Sequence, residues 1–396
     1  MEVLNKAKID IQYAFGIYGP IRENILVVND ELIFPVGNHV AVYNSVRKDK
    51  SLEFFDRDKT CSSYVSALAL APNKKILAAC FNETNTGKGA QIHFFNIADR
   101  HHLCSLLHKN NIQSIVFSND SNQVITASEK SLIVWNWEKG NITFFSSISG
   151  SITRLSCPFL TQSGDLLFSA TGLSHFRLWT ASSSQQLHDF VVPQLQSKEH
   201  QYNFPDHCWL RGCNDQDSNI LAVIMEPDLR LSDRKKNDDT AVVIYQLYLS
   251  KLTSKPTLEL KQTVSISTCN VLCLSSLPSA MGFYLGGTEG FFSVFKRNES
   301  CHEEYEFLST KLLQKSKENI IYISSGCDES EVFLFSESMR VFTYSLNTLY
   351  KSEDNNDEIS SVDTFREHPG EILDSDCCVE KPLIVTCNSD HSVRVW

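Results

Sequence analysis

The 396-residue sequence has no apolar run approaching the roughly 20 residues that a membrane-spanning helix needs. Met1–Gly16 carries charge early, at Glu2, Lys6, Lys8 and Asp10, and lacks the apolar core of a secretory leader. Paired metal-ligand spacings are also missing. The 13 Cys are scattered: Cys269 and Cys273 are separated by three residues, and Cys377 and Cys378 are adjacent, as are His101 and His102. None of these forms a C-x-x-C or H-x-x-x-H arrangement. No G-x-S-x-G nucleophile elbow occurs, and no two carboxylates pair as a general acid and base. Positive charge is short, with 36 Lys and Arg against 47 Asp and Glu, a net charge of -11. That balance argues against a nucleic-acid clamp or an anionic-membrane binder. The expectations are a soluble intracellular protein with its cysteines acting as buried small hydrophobes. It should hold no metal or cofactor, act on no small-molecule substrate, and bind neither nucleic acid nor membrane.

What is present is an aromatic-rich repeat. There are 24 Phe, 12 Tyr and 5 Trp, and aromatic side chains favour strands. One short pattern alternates polar-tolerant and apolar positions and ends on an aromatic. It occurs at His39–Tyr43, Gln91–Phe95, Ser131–Trp135, His175–Trp179, Ala241–Tyr245, Phe291–Phe295, Arg340–Tyr344 and Ser392–Trp396. Most intervals fall near the roughly 40–50 residues of a propeller blade, and one, Trp179 to Tyr245, is longer. The period of two predicts strands with one face buried. Before nearly every one stands a second apolar strand, such as Val124–Ala127 or Val332–Phe335. Ahead of that lies a third in most units, such as Ile112–Phe117 or Ile320–Ser324. Turn residues such as Asn119-Asp120 and Ser163-Gly164 separate them.

Three strands plus a weaker outer one make a four-stranded antiparallel sheet. Alone, such a sheet exposes two edges and an apolar face. Radial packing of successive sheets buries the faces and closure of the ring protects the edges, so the pattern predicts an all-β propeller. Two β-sandwiches would also give many short strands, but not one aromatic-ended pattern at blade spacing. The period of two excludes an α-solenoid.

The last unit runs from His368-Pro369-Gly370 through Leu383-Ile384-Val385-Thr386-Cys387 to Asp390 and Trp396. It resembles a WD40 repeat, and by that resemblance His368, Thr386, Asp390 and Trp396 would form the hydrogen-bonded network that fixes a blade. A buried carboxylate is tolerated only when paired and hydrogen-bonded. Other units depart from the pattern: several lack the His and the turn Asp, and Glu129-Lys130 occupies the turn before Ser131–Trp135. Phe15-Gly16, Leu32–His39, Tyr43-Asn44, Trp137-Glu138-Lys139, His207-Cys208-Trp209 and Lys381-Pro382-Leu383-Ile384 are similar, in order, to the cilia- and flagella-associated protein 57 family, WD-repeat proteins of the axoneme. That resemblance implies a non-catalytic scaffold supporting inner dynein arm assembly or motility, with axonemal and microtubule-associated partners. Members are longer, with two tandem propellers and then coiled coil, whereas no heptad region occurs here. On the family's usual count the expectation is a seven-bladed propeller over residues 1–366, with 367–396 opening a second ring. The alternative, an eighth blade of the same ring, stays open. A generic cytosolic WD-repeat adaptor, in trafficking or as a ubiquitin-ligase substrate receptor, is the second functional reading. A propeller enzyme is the third.

Weaker signals have bland readings. Thr86-Gly87-Lys88-Gly89 lacks the spacing and helix of a phosphate loop and reads as a hairpin turn. The sequons at Asn82, Asn141 and Asn298 are incidental without a secretory route. The insertion Asp228–Asp239, with Arg230, Arg234, Lys235 and Lys236, and the acidic run Glu353–Glu358 read first as solvated loops. The basic one is also a candidate partner contact, since binding residues concentrate on loops of rigid scaffolds. Acidic tubulin tails are a surface it could meet.

Overall fold

The structure is a computed structural model that describes residues 25–29, 31–44, 52–55, 63–83, 89–148, 151–158, 166–181, 187–191, 202–211, 219–228, 240–249, 256–267, 269–297, 305–312, 318–326, 331–338, 340–345, 362–366, 372–389 and 391–395. Among these residues there are eight antiparallel sheets, each built from strands consecutive in the chain. Sheet 1 contains β1 (Leu26–Val28), β2 (Glu31–Val36), β3 (His39–Asn44) and β4 (Leu52–Phe54). Sheet 2 contains β5 (Ser63–Leu70), β6 (Ile76–Glu83), β7 (Ala90–Asn96) and β8 (His102–His108). Sheet 3 contains β9 (Ile112–Phe117), β10 (Gln123–Ser128), β11 (Ser131–Asn136) and β12 (Asn141–Ser147). Sheet 4 contains β13 (Ile152–Ser156), β14 (Leu166–Gly172), β15 (His175–Ala181) and β16 (Leu187–Val191).

Sheet 5 has a split first strand, β17 (Tyr202–Asn203) and β18 (His207–Arg211), then β19 (Asn219–Pro227), β20 (Thr240–Leu249) and β21 (Pro256–Ile266). Sheet 6 contains β22 (Val271–Ser276), β23 (Gly282–Gly287), β24 (Phe291–Arg297) and β25 (Tyr305–Leu312). Sheet 7 contains β26 (Ile320–Ser325), β27 (Glu331–Ser336), β28 (Arg340–Ser345) and β29 (Val362–Arg366). Sheet 8 has three strands, β30 (Ile372–Cys377), β31 (Ile384–Asn388) and β32 (Val393–Val395). No described helix is long and apolar enough to cross a membrane.

Side chains link the sheets in sequence order. Ile33, Val42 and Phe55 of sheet 1 pack on Leu77, Phe81 and Phe95 of sheet 2. Ala78, Cys80 and Phe94 on the other side of sheet 2 meet Phe117, Ile133 and Trp135 of sheet 3. Sheet 3 then meets sheet 4 through Ile125, Val134 and Phe168, and sheet 4 meets sheet 5 through Phe176, Trp209 and Tyr245. Sheets 5 and 6 join through Ile224, Val242 and Phe283, and sheets 6 and 7 through Tyr284, Phe292 and Leu334. The chain of contacts then returns to its start, with Phe333, Phe335 and Val341 of sheet 7 on Ile25, Leu32 and Phe34 of sheet 1.

This packing corrects the expectation of one buried face. The second and third strands of the first seven sheets are covered on both faces, so residues 77–82 and 124–128 are buried without alternation. Successive residues face different neighbouring sheets, which is why the run reads as continuously apolar. Alternation survives on outer strands such as β8, where Leu103 and Leu107 are exposed and Leu106 is buried. Sheet 8 differs: Leu373, Val393 and Val395 are exposed. For that reason Cys377 and Cys378 are exposed as well, against the expectation of buried cysteines, whereas Cys80, Cys208 and Cys273 are buried.

Two irregularities repeat. In sheets 2, 3, 4, 6, 7 and 8 the first strand carries a β-bulge near its start, at Ser66, Gln113, Thr153, Leu272, Ile321 and Leu373. A second bulge falls on the outer strand opposite the closing aromatic in sheets 2, 3, 5 and 6, at Leu103, Thr143, Lys261 and Leu308. A bulge bends its strand and increases local twist. Gly89, at φ +83°, enters β7 where a Cβ would stand 2.1 Å from the His108 carbonyl oxygen, so the turn that the Thr86–Gly89 segment was expected to make ends on a residue only glycine fits.

Candidate functional site

Of the four residues assigned to a WD network by resemblance, Thr386 lies on β31, is buried, and pairs in register with Ser375 and Arg394. His368, Asp390 and Trp396 lie outside the described residues. So do Arg230, Arg234, Lys235 and Lys236 of the basic insertion, the Glu353–Glu358 run, and Thr86–Lys88. The basic segment is anchored by Asp228, which is buried, and by Thr240 at the start of β20. In sequence it falls between the second and third strands of sheet 5, β19 and β20.

The polar interior that the structure does show lies elsewhere. In sheet 3, Trp135 Nε1 donates to Thr126 Oγ1 at 3.0 Å, and both groups are buried. His108 sits against Trp135, ring centroids 6.2 Å apart. Its Nδ1 lies 2.6 Å from the Asn110 carbonyl, and its buried Nε2 has no hydrogen-bond partner. Burial holds the His108 pKa below the ordinary imidazole range, opposed by the Asn110 contact. Glu129 stands exposed in the turn and makes no bond to His108, so this network is half built. In sheet 4 the position nine residues before the closing indole, the Thr126 spacing, is Ala170. Trp179 Nε1 is accordingly buried without a partner.

A fuller network joins sheets 4, 5 and 6. His207 on β18 is fully buried, with Nε2 2.6 Å from Ser169 Oγ and Nδ1 2.7 Å from Thr171 Oγ1, both on β14. Trp209 Nε1 donates to Ser169 Oγ at 2.9 Å, and Ser169 Oγ lies 3.1 Å from the Ser156 carbonyl. One proton arrangement that satisfies every contact has Ser169 donating to Ser156 O and accepting from Trp209 and His207 Nε2–H, with Thr171 donating to Nδ1. The imidazole is neutral, and burial, then the nearby Arg154 charge, pushes its pKa well below the usual value. Ser169, Thr171 and His207 are all buried, and their hydrogen bonds hold β14 to β18.

Beside it, Asp206 is buried and pairs with Arg154 on β13. Its carboxylate accepts from the backbone N–H of His207 at 2.8 Å and of Leu274, on β22, at 2.8 Å. Arg154 also donates to the Leu274 carbonyl at 3.0 Å. One ion pair therefore ties the first strands of three consecutive sheets. Similar ties run from one sheet to the first strand of the next. Asn82 holds both backbone groups of Ile112, at 3.1 and 2.9 Å. Ser114 Oγ accepts from Leu155 N–H at 3.1 Å, and Cys273 Sγ donates to Ile320 O at 3.6 Å. At the rim of sheets 1 and 2, Arg100 pairs with Glu31 at 2.7 Å and Glu53 at 3.4 Å. Sequence reasoning singled out His207 and Trp209 only as part of a resemblance. It gave no role to Asp206, Arg154 or Ser169.

No group of three or more His, Cys, Asp or Glu that could enclose a metal exists among the described residues. Burial raises the thiol pKa of Cys80 and Cys208 and pushes the half-buried Cys157 up to about 12, which disfavours the reactive thiolate.

The family model described as WD domain, G-beta repeat, matches residues 101–136 and 359–396. Among solved structures, the Cps50 (Swd1) β-propeller domain of Myceliophteria thermophila superposes with a TM-score of 0.57 at 9% identity, covering 86% of this chain and 98% of that one. U3-55K gives a TM-score of 0.52 at 13% identity, covering 82% and 89%. Stacked antiparallel sheets and these neighbours show a β-propeller fold, with WD-type repeats at the matched residues; propellers built from such repeats typically serve as non-catalytic platforms for binding other proteins. The particular relative is ciliary: the chain is similar to mouse cilia- and flagella-associated protein 57, at 22% identity over 97% of this chain and 32% of that protein. It thus spans less than a third of that relative's length.

Proposed function

We propose that the chain is a protein-binding scaffold of the ciliary or flagellar axoneme that supports inner dynein arm assembly or motility. The observation that carries this reading is the similarity along 97% of the chain to mouse cilia- and flagella-associated protein 57. The architecture is compatible with it: a rigid ring presents loops at both ends, and function on such folds resides in what the loops bind. The basic segment with Arg230, Arg234, Lys235 and Lys236 is the proposed partner contact, emerging from the sheet 5 hairpin toward acidic surfaces such as tubulin tails. Residues 1–366 are proposed to form the ring of seven blades, with 367–396 as a unit outside it. The return of side-chain packing from sheet 7 to sheet 1 supports that division. Tagging the protein in a ciliated cell tests the proposal. It predicts a pool that stays with the axoneme after detergent extraction and is reduced when the four basic residues become Glu. A signal entirely in the detergent-soluble cytosol would refute the axonemal reading and leave the fold untouched.

A further inference from the structure

His93 on β7 and His102 on β8 place two ring nitrogens face to face, His93 Nδ1 and His102 Nε2, 3.1 Å apart. Structural packing alone explains one buried histidine readily. It explains less well why two imidazoles should be aimed at each other. The orientation of His93 is fixed from three sides: Phe81 meets its ring edge-on at 5.2 Å, Phe95 stacks on it at 6.1 Å, and Gln91 Oε1 lies 3.1 Å from Nε2. An amide oxygen only accepts, so Nε2 carries the proton and Nδ1 presents its lone pair to His102. That is the arrangement by which an outer-shell amide sets the tautomer of a metal-ligating histidine.

From these positions we propose that His93 Nδ1 and His102 Nε2 form a two-imidazole site for a divalent transition-metal ion of the zinc or copper type. At metal–nitrogen distances of roughly 2.05 Å, nitrogens 3.1 Å apart subtend about 98° at the ion, between the square-planar and tetrahedral angles. On binding, His102 Nε2 gives its proton to solvent and Nδ1 takes one up, so the neutral ring changes tautomer with no net proton release and frees Nε2 for the ion. Solvent fills the remaining positions, since the described residues bring no third His, Cys, Asp or Glu to the pair. The site is therefore exchangeable, and the ion staples the third and outer strands of sheet 2. Hard cations such as magnesium, which take oxygen ligands, are excluded by the donor set.

The test is titration of the chelator-treated full chain with zinc chloride and, separately, copper(II) chloride, with magnesium chloride as control. His102→Gln is the principal variant, because His102 is partly exposed and its loss spares the core. His93→Gln is the second variant, and His101→Gln tests the neighbouring ring. The proposal expects zinc affinity to fall at least about tenfold in H102Q and in H93Q and to stay unchanged in H101Q. In the copper form, electron paramagnetic resonance should show two coordinated nitrogens in the wild type and one in H102Q. Equal zinc affinity in the wild type and H102Q, or a copper spectrum unchanged by H102Q, would overturn it. So would the absence of any zinc binding by the folded wild-type chain.

Discussion

Replacing Asp206 by Ala would take the carboxylate away from Arg154, whose side chain is only 13% exposed, and from two buried backbone N–H groups. Removing one member of a buried pair leaves a charge with its desolvation cost uncompensated, which amounts to about 3–5 kcal/mol. Asp206→Ala should therefore lower the midpoint of urea unfolding steeply, and Arg154→Met in the same chain should restore part of the loss. Equal stability of Asp206→Ala and the wild type would show that the pair does not link the three sheets. His207 makes a second prediction, in which the sign matters. Its folded pKa lies well below the unfolded value of 6.5, so the unfolded chain binds a proton that the folded chain refuses. Stability from this group is complete above about pH 6.5 and declines as pH falls below it, by up to roughly 1.4 kcal/mol per pH unit. His108 contributes in the same direction. Denaturant midpoints measured from pH 7.5 to pH 5 should fall with a slope that flattens in His207→Gln. A slope unchanged by that substitution would sink the assignment.

The strands themselves were largely legible because a third strand such as Ser131–Trp135 is a short apolar run, buried along its length, that ends on a large aromatic. Two first strands escaped notice, β1 and β18, because Leu26–Val28 is short and His207–Arg211 carries polar residues at both ends. The bulges could not be read at all: the residue a bulge inserts, as at Gln113 or Thr153, has no common chemistry. The His207 network escaped for a different reason. Its partners lie 38 and 36 residues upstream, on the neighbouring sheet, and only the packing of sheet 4 on sheet 5 brings them together. Each described sheet uses consecutive strands, so among the described residues no strand from one end of the chain completes the sheet at the other. The junction of sheets 7 and 1 therefore relies on side chains. Phe335, buried against Ile25, Leu32 and Phe34, is central to it. Phe335→Ala should cost about 3–5 kcal/mol, the usual penalty for such a cavity. It should also raise amide exchange in β1, β2, β26 and β27 ahead of sheets 3 and 4. Uniform loss of protection around the molecule would instead mean that this junction is no weaker than the others.

At the scale of the molecule, sheet 8 sets two properties against each other. It has the repeat's local construction, including the bulge near the start of its first strand at Leu373, and the WD family model matches through it. Yet its apolar side chains Leu373, Val379, Val393 and Val395 are exposed, whereas third-strand residues matching Val393 and Val395, such as Val40, Val42, Ile92 and Phe94, are buried. None of the seven apolar clusters that join neighbouring sheets includes a residue of it. A sheet that contributes no side chain to a shared core can be removed without opening one. A chain ending at Arg366 should consequently unfold in a single transition with its denaturant midpoint close to that of the full chain. Its solubility should improve as well, because an exposed apolar face and an unpaired edge strand promote association. If sheet 8 were instead a blade of the same ring, the truncation would expose apolar faces on both neighbouring sheets. The midpoint would then fall by far more than any single cavity explains, or the shortened chain would not fold.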